Sequence, residues 1–213
     1  MRLKIGIIDY GLGNVTSIQN ALERLECRTV ISCDREVLLA CDGIILPGVG
    51  SFPTAMKAIE SSGLRDIIIE LAEQEKKPLL GICLGMQILA EQGEEFEKCD
   101  GLGLIPGTVK MLNADDFRSI PHVGWSGVDA LPAGQDMFAR SQEQDAYYFD
   151  HSFYFEAAEE CCAATLSGRP LVCVAVARDN IWGMQFHPEK SQNAGLRLMK
   201  AFVLRAAGNP VTA

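Results

Sequence analysis

The chain has 213 residues, of which 48% are hydrophobic and 22% charged, and its formal charge is −9. That length suits one α/β domain, and the acidic balance argues against binding nucleic acid, which needs a basic footprint. No apolar run approaches the roughly 18 residues of a membrane helix, and the apolar part of residues 1–9 is too short for a secretory signal. A cytoplasmic protein with no membrane contact is therefore expected.

In chain order, Leu3–Asp9 reads as a buried strand closed by Tyr10-Gly11. Ile18, Ala21, Leu22 and Leu25 recur at i, i+3, i+4, i+7 and predict a helix, with Asn14 placed to cap it. Gly43–Leu46 is a second apolar run, ended by Pro47-Gly48, and residues 54–75 read as helix interrupted at Gly63. Leu79–Ile82 predicts a third buried strand and Leu84–Gln92 a helix. From about residue 105 shorter β-rich pieces take over: Thr108–Leu112, Ala146–Phe149 and Leu171–Ala177. Ala177–Ile181 carries Asp179-Asn180 and looks like a hairpin connection. A last helix covers about Gln192–Ala207. Strands separated by helices imply right-handed β-α-β units. The expected fold is α/β, a mostly parallel central sheet with helices on both faces and antiparallel strands added late in the chain. No linker, repeat or composition break divides it, so residues 1–213 read as a single domain.

The 8 cysteines include no C-x-x-C pair and no zinc-like spacing, which favours free thiols in a reducing compartment. One of them stands in a special context. Gly81-Ile-Cys83-Leu-Gly85 lies between a predicted strand and a predicted helix, the thiol counterpart of the G-x-S-x-G nucleophile elbow. The turn is sharp, so the residues at −2 and +2 must be small, and glycine meets that need. It aims the thiol above the carboxyl ends of the strands, where α/β folds bind ligands. The helix start beyond it favours a thiolate, the reactive form.

A thiolate nucleophile needs an acid–base partner, and the chain has 3 histidines: His122, His151 and His187. His187 follows a predicted strand in Gln185-Phe-His-Pro-Glu189, and Glu189 is placed to orient its imidazole. Donors for a developing oxyanion are sought in the Leu84 amide and in the loop Pro47-Gly-Val-Gly-Ser-Phe52. There the Val49–Gly50 peptide, preceded by Gly48, can reorient at low steric cost.

Taken together these segments resemble the class I (triad) glutamine amidotransferases. The resemblance runs from Ile7 to Lys190 and also includes Asp9-Tyr-Gly-Leu-Gly-Asn14, Gly101-Leu-Gly-Leu-Ile-Pro-Gly107 and Pro121-His-Val-Gly-Trp125. Pro-Gly-Val-Gly-Ser-Phe and Pro-His-Val-Gly-Trp resemble most closely the glutaminase subunits of the imidazole glycerol phosphate synthases. The resemblance implies that Cys83 attacks the side-chain amide of glutamine, that His187 protonates the departing ammonia and that Glu189 orients His187. It implies that Gln87 and Glu95 hold the amino-acid end of glutamine, that Gly50 and Leu84 contact its carbonyl, and that His151, Ser152 and Phe153 line the pocket. Trp125 and Lys190 are expected to face a (β/α)8-barrel cyclase that receives the ammonia, in a heterodimer. No cofactor and no metal are implied. Two positions depart from the family pattern, Ser126 where Asn is usual and Asp150 where an apolar residue is usual. Other readings are the same glutaminase feeding a surface-sugar nucleotide, a stand-alone cysteine hydrolase, and a non-catalytic interaction subunit.

Overall fold

A computed structural model describes residues 2–117 and 119–211. The first half alternates strands and helices: β1 (Lys4–Ile8), α1 (Val15–Arg24), β2 (Arg28–Ser32), α2 (Arg35–Leu39), β3 (Gly43–Leu46), α3 (Phe52–Ser61), α4 (Leu64–Ile69), β4 (Leu79–Ile82) and α5 (Leu84–Gln87). Short strands follow, β5 (Gln92–Gly93), β6 (Cys99–Asp100), β7 (Gly107–Met111), β8 (His122–Ser126) and β9 (Val128–Ala130), then α6 (Gln135–Phe138). The chain closes with β10 (Tyr147–His151), β11 (Phe153–Ala157), β12 (Cys162–Leu166), β13 (Arg169–Arg178), β14 (Ile181–Met184) and α7 (Gln192–Ala206).

The main sheet has eight strands in the order β2-β1-β3-β4-β14-β13-β12-β9. The run from β2 to β14 is parallel, and β13, β12 and β9 add to it antiparallel. Side chains alternate across it. Ile5, Ile7, Ile45 and Leu80 face one core with α1 and α7, whereas Ile8, Ile44, Leu46 and Leu79 face another with α2, α3 and α4. Strands buried on both faces read as continuous apolar runs, which is why β1, β3 and β4 are visible in the sequence.

Register is what assembles a site here. Leu46 of β3 lies opposite Gly81 of β4, and Ile82 lies opposite Met184 of β14. The parallel strands therefore end side by side, and their next residues, the Pro47–Gly50 loop, Cys83 and the His187 segment, emerge at one edge. Two smaller sheets flank that edge, β10-β8 and β11-β7-β5-β6.

Several expectations need correction. The helix expected over Leu84–Gln92 stops at Gln87. The carbonyls of Ile88, Leu89 and Ala90 accept instead from the amides of residues 102–105, so a returning loop takes the place of the next helical turn. A Cβ at Gly101 would lie 2.1 Å from the Ala90 oxygen, so that loop fits only with glycine. Asn14 stands at the N-cap of α1, but its side chain makes no capping hydrogen bond. The helix over residues 54–75 starts earlier, at Phe52, breaks at Gly63 (φ 71°) as expected, and finishes as a π-turn over Glu70–Gln74. The hairpin expected at Ala177–Ile181 joins β13 to β14. No helix among the described residues is long and apolar enough to cross a membrane.

Candidate active site

Cys83 leaves β4 with φ 55° and ψ −115°, a conformation that L-residues rarely adopt. Its N–H donates to the Met184 carbonyl at 2.7 Å, which ties the turn to β14. The crowding expected around it is present and involves a third segment. A Cβ on Gly81 would meet the Gly85 oxygen at 2.6 Å, and one on Gly85 would meet the Leu46 oxygen at 1.9 Å. On Gly48 it would meet the Gly85 nitrogen at 2.6 Å. The Pro47–Gly50 loop thus lies directly against the elbow. Tyr10 holds that loop from behind, its hydroxyl donating to the Pro47 carbonyl at 2.7 Å. Burial, with the charge of Cys83 adding to it, pushes the Tyr10 phenol well above its ordinary range, so it remains a donor. Gly50 has φ 99°, with open space where a side chain would be.

His187 and Glu189 form a buried pair, Nδ1 to Oε1 at 2.8 Å, with side chains 5% and 1% exposed. Burial opposes the charged imidazole, but hydrogen bonds to Cys83 and to Glu189 outweigh it and push His187 up to about 10. The arrangement favours an imidazolium held between Glu189 and the Cys83 sulfur. The His187 backbone is fixed as well. Its N–H donates to the Tyr148 carbonyl at 2.9 Å, and its carbonyl accepts from Ser191 Oγ at 2.6 Å. Ser191 Oγ in turn accepts from the Tyr148 N–H at 2.9 Å, closing a ring between β10 and the His187 segment.

A cavity of about 380 Å³ opens over the sulfur, lined by Val49, Gly50, Cys83, Leu84, Gln87, Glu95, Pro121, Asp150, His151, Ser152, Phe153, His187 and Lys190. It brings together every residue to which the sequence assigns a site or partner role except Glu189, which sits behind His187, and Trp125. Trp125 is 49% exposed and meets the Tyr148 ring edge-on. Lys190, expected to face a partner, also lines the cavity, with its Nζ 5.5 Å from the centre of the Tyr148 ring.

The polar wall has a defined wiring. Glu95 accepts from the Phe52 N–H at 2.7 Å and so anchors the start of α3. Gln87 Nε2 donates to the Phe153 carbonyl at 3.0 Å and to Gln185 Oε1 at 2.9 Å. His151 Nδ1 donates to the same carbonyl at 2.8 Å, which leaves its Nε2 to accept from His122 Nδ1 at 3.0 Å. His122 Nε2 then accepts from Ser126 Oγ at 3.1 Å, so the departure at Ser126 ends a chain of hydrogen bonds that starts at the pocket wall. Burial, reinforced by His122 and His187, holds His151 down at about 4 against the favourable pull of the Phe153 carbonyl. Asp150, the other departure, is exposed at the pocket mouth.

Tyr10, Gln185 and Ser191 stand in the matching segments, the last of which runs on to Ser191, but the sequence assigns none of them a role. Gln185 carries a signal of its own, a polar residue in an otherwise apolar buried run.

Comparison with known proteins agrees with this geometry. Residues 6–206 match the family model "Glutamine amidotransferase class-I". The chain is similar to "Imidazole glycerol phosphate synthase subunit HisH 2" of Vibrio vulnificus, 42% identical over 94% of each chain. It is also similar to "Imidazole glycerol phosphate synthase subunit HisH" of Gloeobacter violaceus, 42% identical over 95% of this chain and 90% of the relative. Among solved structures, a glutamine amidotransferase superposes with a TM-score of 0.73 at 21% identity, covering 96% of this chain and 98% of the other. PurLQS from Thermotoga maritima superposes at 0.72 with 17% identity, covering 96% of this chain and 99% of the other. At those identities the superpositions speak for the fold alone.

Proposed function

The chain belongs to the class-I glutamine amidotransferases, and from that premise we propose that it is the glutamine-hydrolysing subunit of an imidazole glycerol phosphate synthase, acting in histidine biosynthesis as one domain. Its relatives at 42% identity carry that name over nearly their full length, which supports this acceptor over others. The observation that carries the chemistry is the meeting of the strained Cys83 elbow with the His187–Glu189 pair in one cavity.

The reaction follows from those groups. The Cys83 thiolate attacks the side-chain carbonyl carbon of glutamine, and the carbonyl oxygen becomes an oxyanion. Leu84, at the start of α5, and the Val49–Gly50 peptide both line the cavity and are the backbone donors assigned to that oxyanion. His187, charged and oriented by Glu189, gives its proton to the leaving nitrogen, which departs as ammonia. The neutral imidazole then takes a proton from water, whose oxygen attacks the thioester. Glutamate leaves and the thiolate–imidazolium pair is restored. Gln87, Glu95 and the 151–153 backbone hold the amino-acid end of the substrate. Trp125 and Lys190 face a (β/α)8-barrel cyclase subunit that consumes the ammonia.

The test is Cys83→Ala in complex with the cyclase. Glutamine-dependent synthesis is expected to vanish while synthesis from ammonium salts persists. Substantial glutamine hydrolysis by this variant would refute the nucleophile assignment.

A further inference from the structure

Gln185 is fully buried beside the nucleophile, and nothing in the mechanism above uses it. Its orientation is forced by its neighbours. The Phe153 carbonyl can only accept, so the Gln87 atom 3.0 Å away must be the amide nitrogen. That same nitrogen lies 2.9 Å from the Gln185 side chain, so the Gln185 atom it meets must be the oxygen. The Gln185 nitrogen is then left facing Cys83 Sγ at 3.9 Å, a donor aimed at the sulfur. The second lone pair of the Phe153 oxygen is taken by His151, so the relay has no spare acceptor at its origin and no reason to reverse.

We propose that Gln185 is a positioning residue for the Cys83 sulfur, its N–H aimed by the Phe153 carbonyl through Gln87. The proposal rests on the glutaminase reading. Packing alone does not call for an amide here. Leucine or methionine would fill the space without the cost of burying a polar group. A donor gains most when its acceptor is charged, so the contact is stronger to a thiolate than to a thiol. It meets the sulfur from the protein side and leaves the cavity side open for attack. Gln87 is shared between the relay and the cavity wall, so the donor and the substrate site are set by one side chain.

The experiment compares wild type with Gln185→Met and Gln185→Leu, each as the complex with the cyclase. It reads Cys83 alkylation by iodoacetamide through peptide mass spectrometry, with kcat and KM for glutamine alongside. Both variants remove the donor and fill its volume with apolar atoms. Alkylation at neutral pH and kcat are expected to fall together by roughly 10- to 100-fold, the scale of one hydrogen bond to a charged group, with KM changed less than about threefold. If Gln185→Met does not fold, Gln185→Leu carries the comparison. A folded variant with a lowered Tm but wild-type alkylation and kcat would overturn the proposal, as would a change confined to KM. Wild type that alkylates at Cys83 but hydrolyses no glutamine would overturn the functional reading, and the alkylation comparison would still decide the role of Gln185.

Discussion

Ser191→Ala is the perturbation that isolates how His187 is held. Ser191 is fully buried, and its hydroxyl bridges the His187 carbonyl at 2.6 Å and the Tyr148 N–H at 2.9 Å. The variant removes both bonds and leaves the Tyr148 N–H buried without its acceptor. The His187 carbonyl keeps the Lys190 N–H at 3.1 Å, and the His187 N–H keeps Tyr148 at 2.9 Å, so the segment loosens without detaching. One orphaned buried donor costs about 2 kcal/mol. For a domain of this size that is a fall in Tm of roughly 4–8 °C. The imidazole shifts with its backbone, and small misplacements of a catalytic group are expensive, so kcat is expected to fall about tenfold or more. Thermal melting and steady-state glutamate release measure the two effects. A Tm within 1 °C of wild type together with unchanged kcat would refute the reasoning, because the ring through Ser191 would then be holding nothing.

Gly85→Ala places a Cβ 1.9 Å from the Leu46 oxygen, backbone against backbone, so β3 and the elbow must separate; a loss of more than about 4 kcal/mol is expected, read by chemical denaturation, together with loss of glutaminase activity. His187→Asn is expected to lower glutamine turnover on the order of 100-fold or more, and unchanged turnover would move the acid–base role to His151. Acid stability is set partly by His151, held down at about 4 from an ordinary 6.5. The unfolded chain binds this proton first, so stability falls as pH drops from 6.5 towards 4, by up to about 3 kcal/mol, and His151→Gln should flatten that part of the denaturation profile. His187, raised to about 10, works in the opposite sense: its contribution is complete below 6.5 and is lost as pH rises through 10. A Cys83→Ser/His187→Gln variant should therefore lose less stability between pH 7 and 10 than wild type.

Local periodicity and local chemistry are legible along the chain. The apolar runs of β1, β3 and β4 declared a doubly covered parallel sheet, the Gly81-x-Cys83-x-Gly85 turn declared an elbow, and His187 and Glu189 are close enough in sequence to meet across a single turn. Strands β2 and β8, half-buried and mixed in composition, gave no such signal, because a sheet edge needs no continuous apolar run. The helix after Cys83 is shorter than its apolar run predicts, for a related reason. Ile88–Ala90 are apolar because they are buried under a returning loop, and periodicity does not separate that from helix. The wiring of the site exists only in three dimensions. The bonds that link Gln87 to Phe153, Gln87 to Gln185 and Gln185 to Cys83 join residues 66, 98 and 102 positions apart. Which of them meet depends on the register of β4 against β14 and on where β10 gives way to β11. Register is settled by the burial of whole strands at once, so no short stretch of sequence contains it.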